Sequence, residues 1–182
     1  MRSVGLIGLG VMGSRIAHNL YQAGYLRTVY NRTTSKAVDF ANAHPGVSVA
    51  RSPGELAGSV DVVITMLSDD QAVTEVVSAL LPSIKGKILV DMSTISPSVS
   101  VELAKRVGEA GGVMFDAPVM GTSVDVENKR VTVLVGGPRE LYPEVEPILA
   151  ATAGRVVYVG PNGYGLLMKL AGNMMFAAFI AG

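Results

Sequence analysis

The chain has 182 residues, of which 49% are hydrophobic and 16% charged, a composition typical of one globular domain with a sizeable core. Fifteen acidic residues balance fifteen basic ones, so no basic surface for nucleic acid is expected. The chain has no cysteine, which excludes disulfides and thiolate metal sites, and we expect no bound metal. An apolar segment begins at residue 4, leaving no room for a signal peptide, so we expect a cytoplasmic protein.

Three glycines follow a short apolar strand, predicted at residues 4–7, and precede a helix predicted at residues 14–20. In this order they form the dinucleotide-binding fingerprint, where glycines permit a tight turn, close approach of backbone to a pyrophosphate, and helix–strand packing. The helix N-terminus then offers free N–H groups to the phosphates. A glycine-rich turn that binds no ligand is the alternative. The expected cofactor contacts are Gly8, Leu9, Gly10, Val11, Met12 and Gly13.

Strands and helices alternate along the rest of the chain. Strands predicted at residues 27–31, 61–67 and 87–91 alternate with helices at 34–43, 70–81 and 97–110, and strands at 113–116, 131–135 and 156–159 continue the sheet. This order predicts an α/β fold of Rossmann type, with a doubly wound, mostly parallel sheet over residues 1–162. Ligands bind at the carboxyl ends of such strands, so we expect contacts from Met66, Leu67, Ser93 and Thr94, although Ser and Thr also simply shape turns.

The end of the second strand indicates which cofactor binds. NAD-binding domains usually carry an acidic residue there, which binds the ribose 2′-hydroxyl. This chain has Asn31 instead, followed by Arg32 and Thr33. Because a guanidinium pairs well with phosphate, these three residues favour NADP over NAD. A solvated arginine in a polar turn is the alternative.

A hydride-transfer enzyme that acts on an alcohol needs a group to take or give the hydroxyl proton, and the candidate for this group is found by elimination. The chain has two histidines, His18 on the first helix and His44 before a proline, and neither follows a strand. The ionisable residue after Tyr164 is Lys169, and Asn173 lies four residues later on the same helix face. A partly desolvated lysine can act as an acid or base, so we expect both residues to be catalytic. A lysine that only extends from an apolar helix to water is the alternative.

The last helix, predicted from residue 163 to 182, is apolar on nearly every side. Such a helix must be buried by something, so we expect homo-oligomers that form through it. A membrane span is the alternative, but Lys169, Gly172 and Asn173 interrupt the apolar segment and it is short. Its large apolar residues are Leu166, Leu167, Met168, Leu170, Met174, Met175, Phe176, Phe179 and Ile180.

With these motifs assembled, the chain resembles the β-hydroxyacid dehydrogenase family, which includes 3-hydroxyisobutyrate dehydrogenase and, more distantly, 6-phosphogluconate dehydrogenase. The sequence G-L-G-V-M-G at residues 8–13 is similar to the family's G-L-G-x-M-G, and N-R-T at residues 31–33 to its NADP-preferring members. Residues 116–121 resemble D-A-P-V-S-G-G, and Lys169 and Asn173 match G-x-G-x-x-x-K-x-x-N-N. The family has a helical second domain after this helix, which the 182 residues do not include.

The resemblance implies hydride transfer between NADP(H) and a short β-hydroxyacid or its semialdehyde, with Lys169 carrying the hydroxyl proton and Asn173 orienting the substrate. Three positions depart from the motifs: Met120 replaces a substrate-binding serine, Thr122 replaces a glycine, and Gly172 replaces an asparagine. A thioether cannot donate a hydrogen bond, so Gly121, Thr122 and Ser123 are expected to hold the carboxylate.

Two other functions stay open. An imine reductase is a close variant, because the resemblance extends to enzymes of that chemistry. A nucleotide-binding module without turnover is the second, motivated by Met120 and Gly172 and opposed by the presence of Lys169.

Overall fold

The computed structural model describes residues 2–181, without the side chains of residues 176–178 and 180–181. The expectations for Phe176 and Ile180 therefore lie outside the described residues. The first part of the chain alternates strands and helices: β1 (Val4–Ile7), α1 (Val11–Gln22), β2 (Leu26–Tyr30), α2 (Thr34–Ala43), β3 (Ser48–Val49), α3 (Pro53–Ser59), β4 (Val62–Thr65), α4 (Asp70–Leu80), β5 (Ile88–Asp91) and α5 (Pro97–Glu109).

The second part adds shorter elements and one long helix. Single turns of 3₁₀ helix follow α4 at Leu81–Ser83 and precede α7 at Arg139–Leu141. The remaining elements are β6 (Val113–Asp116), β7 (Val119–Met120), α6 (Ser123–Glu127), β8 (Thr132–Gly136), α7 (Tyr142–Ala150), β9 (Arg155–Gly160) and α8 (Tyr164–Ala181).

Within residues 2–181, nine strands form one sheet in the order β3-β2-β1-β4-β5-β6-β8-β7, with β9 paired to β8. The pairs from β3 to β6 are parallel, whereas β8 runs antiparallel to β6 and β7. The order reverses at β1, so the carboxyl ends of β1 and β4 border the crevice where doubly wound sheets bind ligands. The predicted Rossmann-type, mostly parallel fold is confirmed.

Several predicted boundaries are wrong by a few residues. Helix α1 begins at Val11 rather than at residue 14, because the glycine turn supplies its first turn: the Ser14 N–H donates to the Gly10 carbonyl at 2.9 Å. Strand β2 ends at Tyr30, so Asn31 lies just beyond it. Strand β4 ends at Thr65, and helix α4 changes to 3₁₀ geometry after Leu80, next to Pro82.

Five elements were not predicted. Strands β3 and β7 have two residues each, too few for a periodic pattern, and α6 has five. Helix α7 contains Pro147, which reads as a helix breaker. Helix α3 carried a usable signal, because Ser52 caps it by accepting from the Glu55 N–H and Pro53 occupies its first turn.

A buried carboxylate attaches α8 to the sheet. Asp116, the last residue of β6, accepts hydrogen bonds from the backbone N–H groups of Gly163 at 2.7 Å and Leu166 at 3.1 Å. Burial raises the pKa of the Asp116 carboxyl, and the two N–H groups oppose that shift. Leu166 is fully buried below them. The first turn of α8 is thus fixed at the carboxyl end of β6.

Close packing explains one glycine of the fingerprint. A Cβ atom at Gly13 would lie 1.8 Å from the Gly8 carbonyl oxygen, whereas one at Gly108, on α5, would meet no atom within 4 Å. We therefore expect Gly13→Ala to lower the free energy of unfolding by about 1–3 kcal/mol or more. Gly108→Ala should raise it by about 0.5–1 kcal/mol, because alanine loses less backbone entropy in a helix. Urea unfolding of both variants tests this, and equal stabilities would contradict it.

Candidate functional site

The turn after β1 contains two glycines with different surroundings, and its backbone is open at the second one, Gly10. Gly8 has a φ of +103°, and a Cβ there would lie 2.3 Å from the Met66 carbonyl oxygen, so the first glycine is required by geometry. Gly10 differs, because a Cβ on it would meet nothing within 4 Å. Gly10 ends the connection to α1 and faces the crevice. Packing does not require this glycine, but close approach of a ligand would.

The neighbouring residues of the turn have different surroundings. Leu9 is buried in the core and Met12 packs partly against it, whereas Val11 is exposed at the start of α1. The Leu9 N–H donates to the Asn31 side-chain oxygen at 2.9 Å, and the Asn31 amide donates to the Thr33 carbonyl at 3.0 Å. Asn31 thus braces the glycine turn against the end of β2, a role that sequence analysis missed.

A cavity of about 340 Å³ lies between this turn and the loops after β2 and β4. It brings together most of the expected cofactor residues. Lys36, in the first turn of α2, adds a second cation that sequence analysis overlooked, although its position three residues after Thr33 was a readable signal. A cleft with open backbone at one end and cations at the other fits a dinucleotide phosphate. Its lining includes Gly8, Gly10, Asn31, Arg32, Thr33, Lys36, Met66 and Leu67.

The Ser93 side chain is wholly buried and hydrogen-bonded within the protein. Its hydroxyl donates to the Asp91 carboxylate at 2.6 Å and accepts from the Leu67 N–H at 2.9 Å. Asp91 also accepts from the Thr65 hydroxyl at 2.7 Å. Burial raises the pKa of the Asp91 carboxyl, and these hydrogen bonds oppose the shift. Ser93 therefore joins the loop after β4 to the loop after β5, and its expected substrate contact stays a prediction.

Lys169 reaches from α8 to Thr94, the residue after Ser93 in the loop that follows β5. Its Nζ donates to the Thr94 hydroxyl at 2.7 Å. Thr94 is exposed and lines a second cavity of about 660 Å³, which shares Ser68 with the first. Partial burial of Lys169 lowers its pKa. Asn173 is exposed one turn further along α8. The structure thus brings Thr94 and Lys169 together beside the cofactor cleft.

The histidines form a separate cluster. His18 Nδ1 and His44 Nε2 are 3.0 Å apart, and the His44 ring stacks on Phe40 at 3.9 Å between ring centroids. His44 Nδ1 is 2.7 Å from the Phe40 carbonyl oxygen, the geometry of a donated hydrogen bond. Both rings connect α1 to the end of α2, consistent with the packing role expected of them.

The loop after β7 holds the three remaining predicted residues. Gly121 has a φ of +134°, Thr122 caps α6, and Ser123 begins that helix. The Thr122 N–H and hydroxyl both donate to the Asp125 carboxylate, at 2.9 and 2.6 Å. These bonds lower the pKa of the Asp125 carboxyl. Among the described residues, no side-chain hydrogen bond joins this loop to Thr94 or Lys169, and no group of three or more His, Asp or Glu could hold a metal ion.

Known proteins are similar to this chain in sequence and in fold. Residues 3–160 match the family model described as the NAD binding domain of 6-phosphogluconate dehydrogenase. The mouse mitochondrial 3-hydroxyisobutyrate dehydrogenase is 39% identical over 183 residues, which cover 98% of this chain and 54% of that protein. The chain therefore spans about half the length of the curated relatives that it matches.

Solved structures agree in fold. A 3-hydroxyisobutyrate dehydrogenase of Mycobacterium tuberculosis, solved with L-serine, superposes with a TM-score of 0.91 at 31% identity, covering 97% of this chain and 60% of that one. A reductive aminase of Aspergillus terreus, solved with NADPH and ethyl levulinate, gives a TM-score of 0.90 at 27% identity, covering 100% and 63%. By its family match and its crevice geometry, the chain belongs to the family of NAD-binding domains of 6-phosphogluconate dehydrogenase.

Proposed function

We propose that this chain carries the cofactor site and the proton carrier of an NADP-dependent oxidoreductase that interconverts a short β-hydroxyacid and its semialdehyde. The main supporting observation is the Lys169–Thr94 hydrogen bond, which holds a half-buried amine at the edge of the cofactor cleft. The name of the mouse relative supports the substrate class.

In this proposal the glycine turn and α1 hold the pyrophosphate, with Gly10 as the point of closest approach. Arg32 and Lys36 bind the 2′-phosphate, and Thr33 lies between them along the chain. Met66 and Leu67 line the side of the cleft towards the nicotinamide. When bound, the nicotinamide supplies or accepts the hydride.

Lys169 handles the hydroxyl proton. As a neutral amine it accepts the proton of the substrate alcohol during oxidation, and as an ammonium ion it returns that proton to the carbonyl oxygen during reduction. Thr94 holds the Nζ in place through its hydroxyl. Asn173, one turn away on α8, orients the substrate. Gly121, Thr122 and Ser123 form the outer wall of the substrate site.

A second candidate function is an imine reductase-like activity. It is favoured by the likeness to the Aspergillus terreus reductive aminase and by the thioether of Met120 at a wall where a hydroxyacid needs a donor. Reduction of a cyclic imine by NADPH, faster than oxidation of any short hydroxyacid, would favour this activity. A module without turnover is the remaining possibility, and the half-buried, hydrogen-bonded Lys169 opposes it.

We also propose that copies of the chain associate through α8 in the cytoplasm. Among the side chains that the structure describes, seven large hydrophobic ones are exposed along this helix, the most exposed being Phe179 at 83% and Met174 at 73%. None of the described helices is long and apolar enough to cross a membrane. An apolar face of this size favours association in water.

Arg32→Ala should weaken NADP binding about tenfold to a hundredfold and leave NAD binding unchanged, because one charge-assisted phosphate contact contributes about 1.5–3 kcal/mol. Gly10→Ala is the matched control in the same cleft, since its Cβ would approach the pyrophosphate that both cofactors share. It should weaken both equally. Calorimetric titration measures the six affinities of the unchanged protein and the two variants for the two cofactors, and tighter binding of NAD than of NADP by the unchanged protein would refute the cofactor assignment.

Lys169→Ala should lower kcat about 10²–10⁴-fold while NADP still binds, because it removes the general acid–base group. His18→Ala, remote from the cleft, should be nearly silent. In the oxidation direction the unchanged enzyme should lose activity as pH falls through the Lys169 pKa, because the ammonium form cannot accept a proton. Partial burial lowers the pKa of Lys169, so this loss of activity should occur below the ordinary pKa of lysine. A pH–rate profile identical in the Lys169→Ala variant would exclude the mechanism.

The 182-residue chain should form dimers or larger species at tens of micromolar, since α8 exposes its apolar side chains. Phe179→Ser combined with Met174→Ser should reduce association. Val101→Ser, an exposed apolar position on α5, is the control and should not. Light scattering measures the mass, and a monodisperse monomer would contradict association through this helix.

A further inference from the structure

Two of the residues that depart from the motifs, Met120 and Gly172, meet in space. Met120 ends β7 and is half-buried, and Gly172 lies on α8 three residues after Lys169, on the same side of the helix. A Cβ atom at Gly172 would lie 3.0 Å from the Met120 methyl carbon and 3.9 Å from its sulfur. The thioether therefore covers the helix surface one turn from Lys169, where no side chain projects.

The neighbouring loop offers little to an anion. Both donors of Thr122, its N–H and its hydroxyl, are bound to one oxygen of Asp125. The other oxygen of Asp125 is 3.4 Å from the guanidinium of Arg130, which is 64% exposed. A substrate carboxylate at this loop would compete with an internal carboxylate for its donors and would be repelled by its charge.

The thioether of Met120 and the Thr122 cap, whose donors are bound to Asp125, both disfavour a charged substituent on the substrate. Burying a carboxylate against a thioether without a donor is costly, whereas an alkyl or ester group gains from the contact. Ser123 is left as the loop's remaining hydroxyl, and it lies beyond Thr122, in the first turn of α6. The wall formed by Met120 over Gly172 thus selects against charge rather than for it.

We propose that this wall is a specificity element that accepts an uncharged substituent, so that the preferred substrate is a neutral derivative of a short β-hydroxyacid, such as an ester or amide. The inference rests on the proposed hydride transfer and narrows its substrate class. The reaction is unchanged: the carbinol hydrogen leaves as hydride to NADP⁺ and the hydroxyl proton passes to Lys169. Met120 sets the preference, and Gly172 leaves room for its side chain.

The test compares kcat/KM for 3-hydroxyisobutyrate and its methyl ester, with NADP⁺ and the protein at its full natural length. The unchanged protein should prefer the ester by about tenfold or more. Met120→Ser should shift the ratio at least about tenfold towards the acid, because it supplies a donor. Met120→Leu keeps the apolar wall and should retain the preference. Val124→Ser, at an exposed position on α6, should also retain it.

The possible outcomes separate the two proposals. Faster turnover of the acid by the unchanged protein would overturn this inference and leave the proposed function standing. No turnover of either compound would overturn the proposed function, and this inference with it. An equal loss on both substrates in Met120→Ser, with thermal unfolding unchanged, would exclude Met120 as the specificity element. If Met120→Ser unfolds early, Met120→Thr supplies the same hydroxyl on a residue suited to strands.

Discussion

The attachment of α8 to β6 through Asp116 is the contact on which the site depends. A buried carboxylate is costly by itself, but here it meets the N–H groups that begin a helix, where negative charge is most favourable. Two glycines make room for it: Cβ atoms at Gly136 and Gly165 would lie 2.5 and 2.8 Å from its oxygens. This close fit fixes where α8 begins, and Lys169 follows Leu166 by less than one turn.

A second buried carboxylate organises the loops that Lys169 approaches. Asp91 binds Ser93, which in turn binds the backbone of Leu67, so the loop that lines the cofactor cleft is connected to the loop that carries Thr94. One Asp91 oxygen takes these bonds, and the other is buried without a partner among the described residues. Such a polar network is costly to disturb, which favours a single geometry of the strand ends.

The two sides of the site differ in chemistry. The cofactor cleft combines open backbone at Gly10 with the cations of Arg32 and Lys36, which suits phosphate. The wall beside Lys169 carries the thioether of Met120 and the capped loop of Asp125. In the proposed function, anion recognition is therefore concentrated at the cofactor, and the substrate side is left mainly to shape and apolar contact.

The sequence by itself determined the fold class and the position of the glycine turn at the start of the candidate cofactor cleft, because periodicity and the glycine spacing are local signals. The bounds of α2 and β6 were predicted to the residue for the same reason. Only the tertiary structure decided which polar groups remain available. Ser93 and Thr122 were predicted to contact the substrate, and the tertiary structure directs their hydroxyl groups to Asp91 and Asp125. The tertiary structure also placed Met120 next to Gly172, since contacts between residues 52 positions apart depend on how the sheet and α8 pack together.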